Sequence, residues 1–191
     1  QVGVRYSYPG RAGNGTGTLA ITNGSFRGYV TDLQVGANLW DMNRTATGVL
    51  DLRSAAIEPL NISGNAYIGA TVTSNLNGYG YVYLPAGDAS ISSNLYLGDT
   101  FLPSRGLLEL FGTTLQVGRA VEVRPSGVVT THVGASSCGL LMLSRDTNDL
   151  RIATGGVIRL LFEADPASTG VNHSGFRMAG QQVSFLQGFT N

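Results

Sequence analysis

Hydrophobic and polar positions alternate along most of this chain in short runs. The runs share a phrase: glycine, then x-Φ-x-Φ, where Φ is aliphatic. It reads Gly17-Thr-Leu19-Ala-Ile21, Gly48-Val-Leu50-Asp-Leu52, Gly80-Tyr-Val82-Tyr-Leu84, Gly106-Leu-Leu108-Glu-Leu110, Gly139-Leu-Leu141-Met-Leu143 and Gly156-Val-Ile158-Arg-Leu160. Side chains alternate across a strand, so each phrase predicts one strand with two aliphatic residues on its inner face. The phrase glycines lie 31, 32, 26, 33 and 17 residues apart. Self-similarity at such a period predicts stacked β coils. After each of the first four phrases comes a second, Φ-x-Φ-Gly: Leu33-Gln-Val35-Gly36, Ala66-Tyr-Ile68-Gly69, Leu95-Tyr-Leu97-Gly98 and Leu115-Gln-Val117-Gly118. Weaker strands, such as Phe26–Val30 and 89–93, lie between the two.

Two or three strands per coil predict an all-β fold, a small β-helix or solenoid spanning 18–166. Inward Leu, Ile and Val would pile into columns, with glycines in turns that need φ > 0. The offsets between paired glycines run irregularly from 12 to 21. That irregularity also fits a β-sandwich or jelly roll, the alternative fold. No stretch beyond about eight residues has helical periodicity.

The ends depart from the repeat. Residues 1–9 form an N-terminal strand extension, with Val2, Val4, Tyr6 and Tyr8 on one face, stopped by Pro9-Gly10. Residues 10–17 read as a glycine-rich linker. A lone strand on a linker needs a sheet edge, in its own molecule or another. Residues 167–191 drop the phrase and read as a C-terminal cap, because an exposed solenoid edge invites aggregation.

Composition narrows the function classes. Charged residues make up 13% of the chain, about half the usual share. Lysine is absent, which rules out a lysine Schiff base and a P-loop. Net charge is zero with no basic cluster, so no nucleic-acid partner is expected. No apolar run of about 18 residues exists, so no membrane-spanning helix is expected. The chain begins Gln1-Val-Gly-Val, the form expected of a processed secreted protein. Cys138 is the single cysteine and reads as a small buried residue.

Candidate chemistry is sparse. Tyr79, Tyr81 and Tyr83 share one strand face, and Tyr67 and Tyr96 fill the outward slot of the second phrase. This pattern fits cross-strand pairing, a subunit interface or a glycan-binding face. Several outward positions of the first phrase are apolar, among them Val49 and Leu107, which predicts a partly covered sheet. Asp146-Thr-Asn148-Asp149 clusters oxygen ligands but lacks calcium-loop spacing, and reads as a turn. Asp41 with Asp51, or Asp88 with Asp99, are the carboxylates a glycosidase pair would draw on, yet they form no recognisable set. His132 and His173 are 41 residues apart and make no metal motif. No nucleophile elbow is present. No catalytic residue, metal or cofactor is expected. Sequons occur at Asn14, Asn23, Asn43, Asn61 and Asn172.

The Gly-x-Leu-x-Leu and Leu-x-Val-Gly phrases over about 17–160 resemble the degenerate repeats of bacterial surface β-solenoids, the autotransporter passenger domains and repeat-bearing proteins related to them. The resemblance implies a secreted or cell-surface protein with a structural or adhesive role, although the sequence carries no outer-membrane barrel. The expectation is a non-enzymatic extracellular subunit that self-assembles into a filament or surface layer as a homopolymer. In that expectation Val2, Val4, Tyr6 and Tyr8 add to a neighbour's edge. The alternative is an adhesin or carbohydrate-binding module that grips surface polysaccharide through Tyr67, Tyr79, Tyr81, Tyr83 and Tyr96.

Overall fold

A computed structural model describes residues 15–39, 45–71, 76–99, 104–133, 140–143, 149–152, 157–162, 175–178 and 182–185. The strands come in threes. β1 (Gly15–Ala20), β2 (Ser25–Val30) and β3 (Leu33–Val35) form the first coil, and β4 (Thr45–Asp51), β5 (Ala56–Ile62) and β6 (Ala66–Ile68) the next. β7 (Asn77–Leu84), β8 (Gly87–Ile91) and β9 (Leu95–Leu97) are followed by β10 (Arg105–Leu110), β11 (Thr113–Val117) and β12 (Ala120–Val123). β13 (Gly127–Val133), β14 (Leu140–Leu143) and β15 (Asp149–Ile152) precede β16 (Val157–Phe162), β17 (Gly175–Met178) and β18 (Gln182–Phe185). Every third strand joins the same sheet. The result is three six-stranded parallel sheets, β1-β4-β7-β10-β13-β16, β2-β5-β8-β11-β14-β17 and β3-β6-β9-β12-β15-β18. The chain is an all-β solenoid, as its repeats predict.

The register turns sequence phrases into columns. Leu19, Leu50, Val82, Leu108, Val129 and Ile158 pair in succession down the first sheet. Val30, Ile62, Ile91 and Val117 do so in the second, and Val35, Ile68, Leu97 and Val123 in the third. Beyond Leu19 and Val30 on the terminal rung, these columns meet as one core. Each fully buried Leu or Ile contributes roughly 1.5–3 kcal/mol against exposure.

The three corners are built differently. Between the second and third sheets an amide ladder satisfies backbone groups where the strands break. The Asp32 carboxylate accepts from the Asn65 backbone N–H (2.7 Å), and Asn65 Oδ1 accepts from the Asn94 N–H (3.1 Å) and Nδ2 (3.0 Å). Asn94 Oδ1 then accepts from the Ala120 N–H (3.2 Å). Between the first and second sheets Thr113 Oγ1 donates to the Leu84 carbonyl (2.9 Å). Pro59 sits in β5 where the register against β2 slips between Phe26 and Gly28, the kind of site a strand proline requires.

The corner between the third and first sheets is a contact of backbone on backbone. Gly36, Gly69 and Gly98 end their strands at φ 56°, 62° and 68°, the positive-φ role expected of the second phrase. The first-phrase glycines play a different part from the turn role expected of them. Gly17, Gly48, Gly80, Gly106 and Gly127 form a continuous ladder inside the first sheet. A Cβ at Gly80 would lie 2.2 Å from the Val35 carbonyl oxygen and 2.3 Å from the Gly69 nitrogen. At Gly106 it would lie 2.3 Å from the Ile68 oxygen and the Gly98 nitrogen, and at Gly127 2.4 Å from the Leu97 oxygen. These glycines exist to let backbone touch backbone.

Gly127 also corrects the repeat. The phrase at Gly139 supplies β14, a second-sheet strand, and the fifth first-sheet strand is Gly127-Val-Val129-Thr-Thr131. Thr131 is buried opposite Leu110, so the final aliphatic of the phrase is missing there. From Gly17 the true spacings are therefore 31, 32, 26 and 21. Likewise Leu115-Gln-Val117-Gly118 is β11 of the second sheet, and the third strand of that coil is Val121-Glu-Val123, closed by Arg124 rather than glycine. Second-sheet strands obey the same two-residue alternation, which is why the phrases look alike. β1 opens at Gly15, so 15–17 belong to a strand, and within 167–191 β17 and β18 extend the second and third sheets.

Two glycines separate space from backbone strain. Gly24 has φ 103°, yet a Cβ added there would meet nothing within 4 Å, whereas one at Gly80 meets backbone on two sides. Gly80→Ala is expected to cost about 3 kcal/mol or more. Gly24→Ala is expected to cost only about 1 kcal/mol. Urea unfolding midpoints of the two variants check the order.

Candidate functional site

Outward ladder positions define three faces. On the first sheet Tyr81 pairs with Val49 and Leu107, Tyr79 with Thr47 and Arg105, and Tyr83 with Asp51 and Glu109. Tyr79, Tyr81 and Tyr83 are half-buried, so the face is a flat aromatic strip with aliphatic flanks. Its far end is polar. Arg53 sits just beyond β4 and clasps Asp51 through Nε (2.9 Å) and Nη2 (2.6 Å). The same guanidinium lies over the Tyr83 ring, 4.5 Å from its centroid. Next along, Glu109 Oε2 is 3.3 Å from His132 Nε2, an ion pair whenever the imidazole is protonated. The His132 ring stacks on Phe111 at 3.9 Å.

These contacts shift ionisation. The hydrogen bond from Arg53 holds the Asp51 carboxyl below its usual range, against a smaller opposing effect of burial. The same bond raises Arg53. Burial, helped by the negative charge of Glu109, pushes the Tyr83 phenol up, so Tyr83 stays neutral at any ordinary pH.

The other two sequence-read tyrosines stand on the third sheet. Tyr67 and Tyr96 stack with centroids 5.1 Å apart and planes 12° from parallel. Arg124, itself 3.4 Å from Glu122, lies 5.2 Å from the Tyr96 centroid. One ring face of each tyrosine is thus turned to the other. The five tyrosines belong to two faces, three on the first sheet and two on the third.

The second sheet offers what sequence reading missed. Tyr29, Asn61 and Ser90 are successive outward rungs on β2, β5 and β8. With Thr31, Ser63 and Ser92 they line a cavity of about 370 Å³. The only sequence signal was Tyr29 inside a strand that looked weak.

The remaining candidates scatter. Asp88 is exposed on the second sheet, while Asp99 is buried beyond β9, where Thr71 donates to it. Asn23 is exposed in the β1–β2 turn, and Asn61 is half-buried in β5 with its Oδ1 accepting from Ser90 Oγ (2.7 Å). Val2, Val4, Tyr6, Tyr8, Asp41, Cys138, Asp146, Asn148 and His173 lie outside the described residues, as do Asn14, Asn43 and Asn172. Among the described residues no group of three or more His, Cys, Asp or Glu could hold a metal ion, and no helix is long and apolar enough to cross a membrane.

Comparison with protein-family models, with curated proteins and with solved structures finds no match to this chain.

The Asp51–Arg53 pair makes a pH prediction. A carboxyl depressed in the folded state adds stability above its unfolded-state value and loses it as pH falls through the folded value. An NMR titration should find Asp51 ionising below the ordinary aspartate range. Arg53→Ala should move that midpoint back up and flatten the acid limb of the stability profile.

Proposed function

We propose that this chain is a non-enzymatic structural subunit, secreted or held at a cell surface, that associates end to end with copies of itself. The observation that carries this reading is the open edge of the first coil. Among the described residues, β1, β2 and β3 are each terminal in their sheets. Two of the three core columns run out there into solvent: Leu19 is 40% exposed where Leu50 beneath it is 2%, and Val30 is 39% exposed where Ile62 is 2%, while Val35 in the third stays buried. An edge of unpaired N–H and C=O groups beside exposed core residues is a template for another strand.

The amphipathic segment with Val2, Val4, Tyr6 and Tyr8 is the proposed occupant. All strand pairing among the described residues is parallel, and a parallel connection within one chain needs a crossover of a dozen or more residues. Only residues 9–14 separate that segment from β1. A segment from another copy meets no such limit and enters parallel, with backbone hydrogen bonds for affinity and its apolar face over Leu19. Such a head-to-tail contact does not close on itself and propagates as a filament. The outer-face ions support the non-enzymatic part of the reading, since Asp51, Arg53, Glu122 and Arg124 are engaged in pairs with one another. The likeness of the repeats to bacterial surface β-solenoids supports the location.

Deleting residues 1–9 is expected to leave a folded monomer while the full chain forms filaments. Light scattering and negative-stain microscopy of both chains check this. Assembly that persists in the deleted chain, or a full chain that stays monomeric, removes the proposal.

A further inference from the structure

The second-sheet cavity has a composition unlike the rest of the surface. Its polar lining is Tyr29, Thr31, Asn61, Ser63, Ser90 and Ser92. Among the described residues that line it there is no carboxylate, guanidinium or imidazole. The parallel register builds it: Tyr29, Asn61 and Ser90 come from three coils and stand side by side on the outer face. Ser63 and Ser92 are set by the backbone just past the strand ends, where their N–H groups donate to the Val30 (2.9 Å) and Ile62 (2.8 Å) carbonyls. Asn61 Oδ1 accepts the Ser90 hydroxyl at 2.7 Å, which fixes the two side chains relative to each other. At one end stands the Tyr29 ring, 67% exposed. Its place on the terminal rung accounts for its exposure. Beside it a hollow of about 370 Å³ runs from the terminal strand across β5 to β8, at the lower end of ligand-site sizes.

We propose that this cavity binds one or two units of a neutral glycan. An open ring face offers the apolar side of a pyranose a stacking surface, and Tyr presents it at low conformational cost. Hydroxyl and amide side chains each donate and accept, as sugar hydroxyls do, and desolvating them costs less than desolvating charges. A phosphate or carboxylate ligand finds no cation in this lining, and an amine finds no anion. The site reaches the terminal strand β2 through Tyr29 and Val30, but the proposed strand addition falls on β1 of the first sheet, so the two do not share a strand.

Saturation-transfer-difference NMR on the full chain tests the proposal, and works whether the chain is a monomer or a filament. The probes are cellotriose, maltotriose, mannotriose and triacetylchitotriose. At least one is expected to receive saturation, with a dissociation constant on the order of 1 mM for so open a site. Tyr29→Ala is expected to weaken binding about fivefold to tenfold. Ser90→Ala is expected to weaken it by a smaller factor, and Tyr81→Ala to leave it unchanged. Circular dichroism of Tyr29→Ala should match the unsubstituted chain, since the ring it removes is mostly in solvent. Four silent probes overturn the proposal. Binding that survives Tyr29→Ala, or that is lost in Tyr81→Ala, overturns it as well and assigns the glycan to the first-sheet tyrosine face instead.

Discussion

Backbone can press against backbone only where neither strand carries a side chain between them, and this fold depends on meeting that condition at one corner. Gly36, Gly69 and Gly98 turn the chain out of the third sheet, and Gly80, Gly106 and Gly127 let the first sheet pass against the turning point. The close approach keeps the enclosed space narrow enough for Leu, Ile and Val from three sheets to meet in one core. It also resets the phase of every coil. Connections and strands both vary in length from coil to coil, so that the glycine ladder is spaced by 31, 32, 26 and 21 residues, yet the ladder stays in register.

The other two corners add side-chain hydrogen bonds along the stack, and the one between the second and third sheets has close-packed glycines of its own: a Cβ at Gly118 would lie 2.3 Å from the Ser92 carbonyl oxygen. The Asp32–Asn65–Asn94 ladder ties successive turns through atoms about 3 Å apart, each amide answering the next backbone N–H. Those bonds run along the stack rather than across it. A substitution there disturbs the rungs above and below and leaves the cross-section intact, whereas a side chain at the glycine corner would push sheets apart.

The solenoid was legible in the chain because inward columns such as Leu50, Val82 and Leu108 recur with strict alternation after a glycine. Assignment of strands to sheets was not, because alternation is shared by all three sheets. Leu140–Leu143 fits the first-sheet phrase and lies in the second sheet, while β13 hides behind Thr130 and Thr131. The outward tyrosines were visible as outward, and their division between two faces follows only from the sheet order. The Tyr29 cavity was invisible in principle. Its walls come from residues separated by about thirty positions, and nothing local to Asn61 or Ser90 marks them as neighbours of an aromatic ring. Arg53 was overlooked for a related reason: a residue just past a strand end reads as a turn, although its reach back to Asp51 and over Tyr83 organises the polar end of a face.

In-register parallel stacking has a mechanical side. Each coil touches only the coils beside it, so the molecule is held as a series of links rather than by one central knot. Tension on its two ends loads the terminal coil first. Peeling one coil of 31 residues, the span from Gly17 to Gly48, releases roughly 100 Å of chain before the next coil bears the load. A body built this way yields in steps and absorbs work at each one, so a single overload removes a rung from the end and leaves the rest of the stack folded.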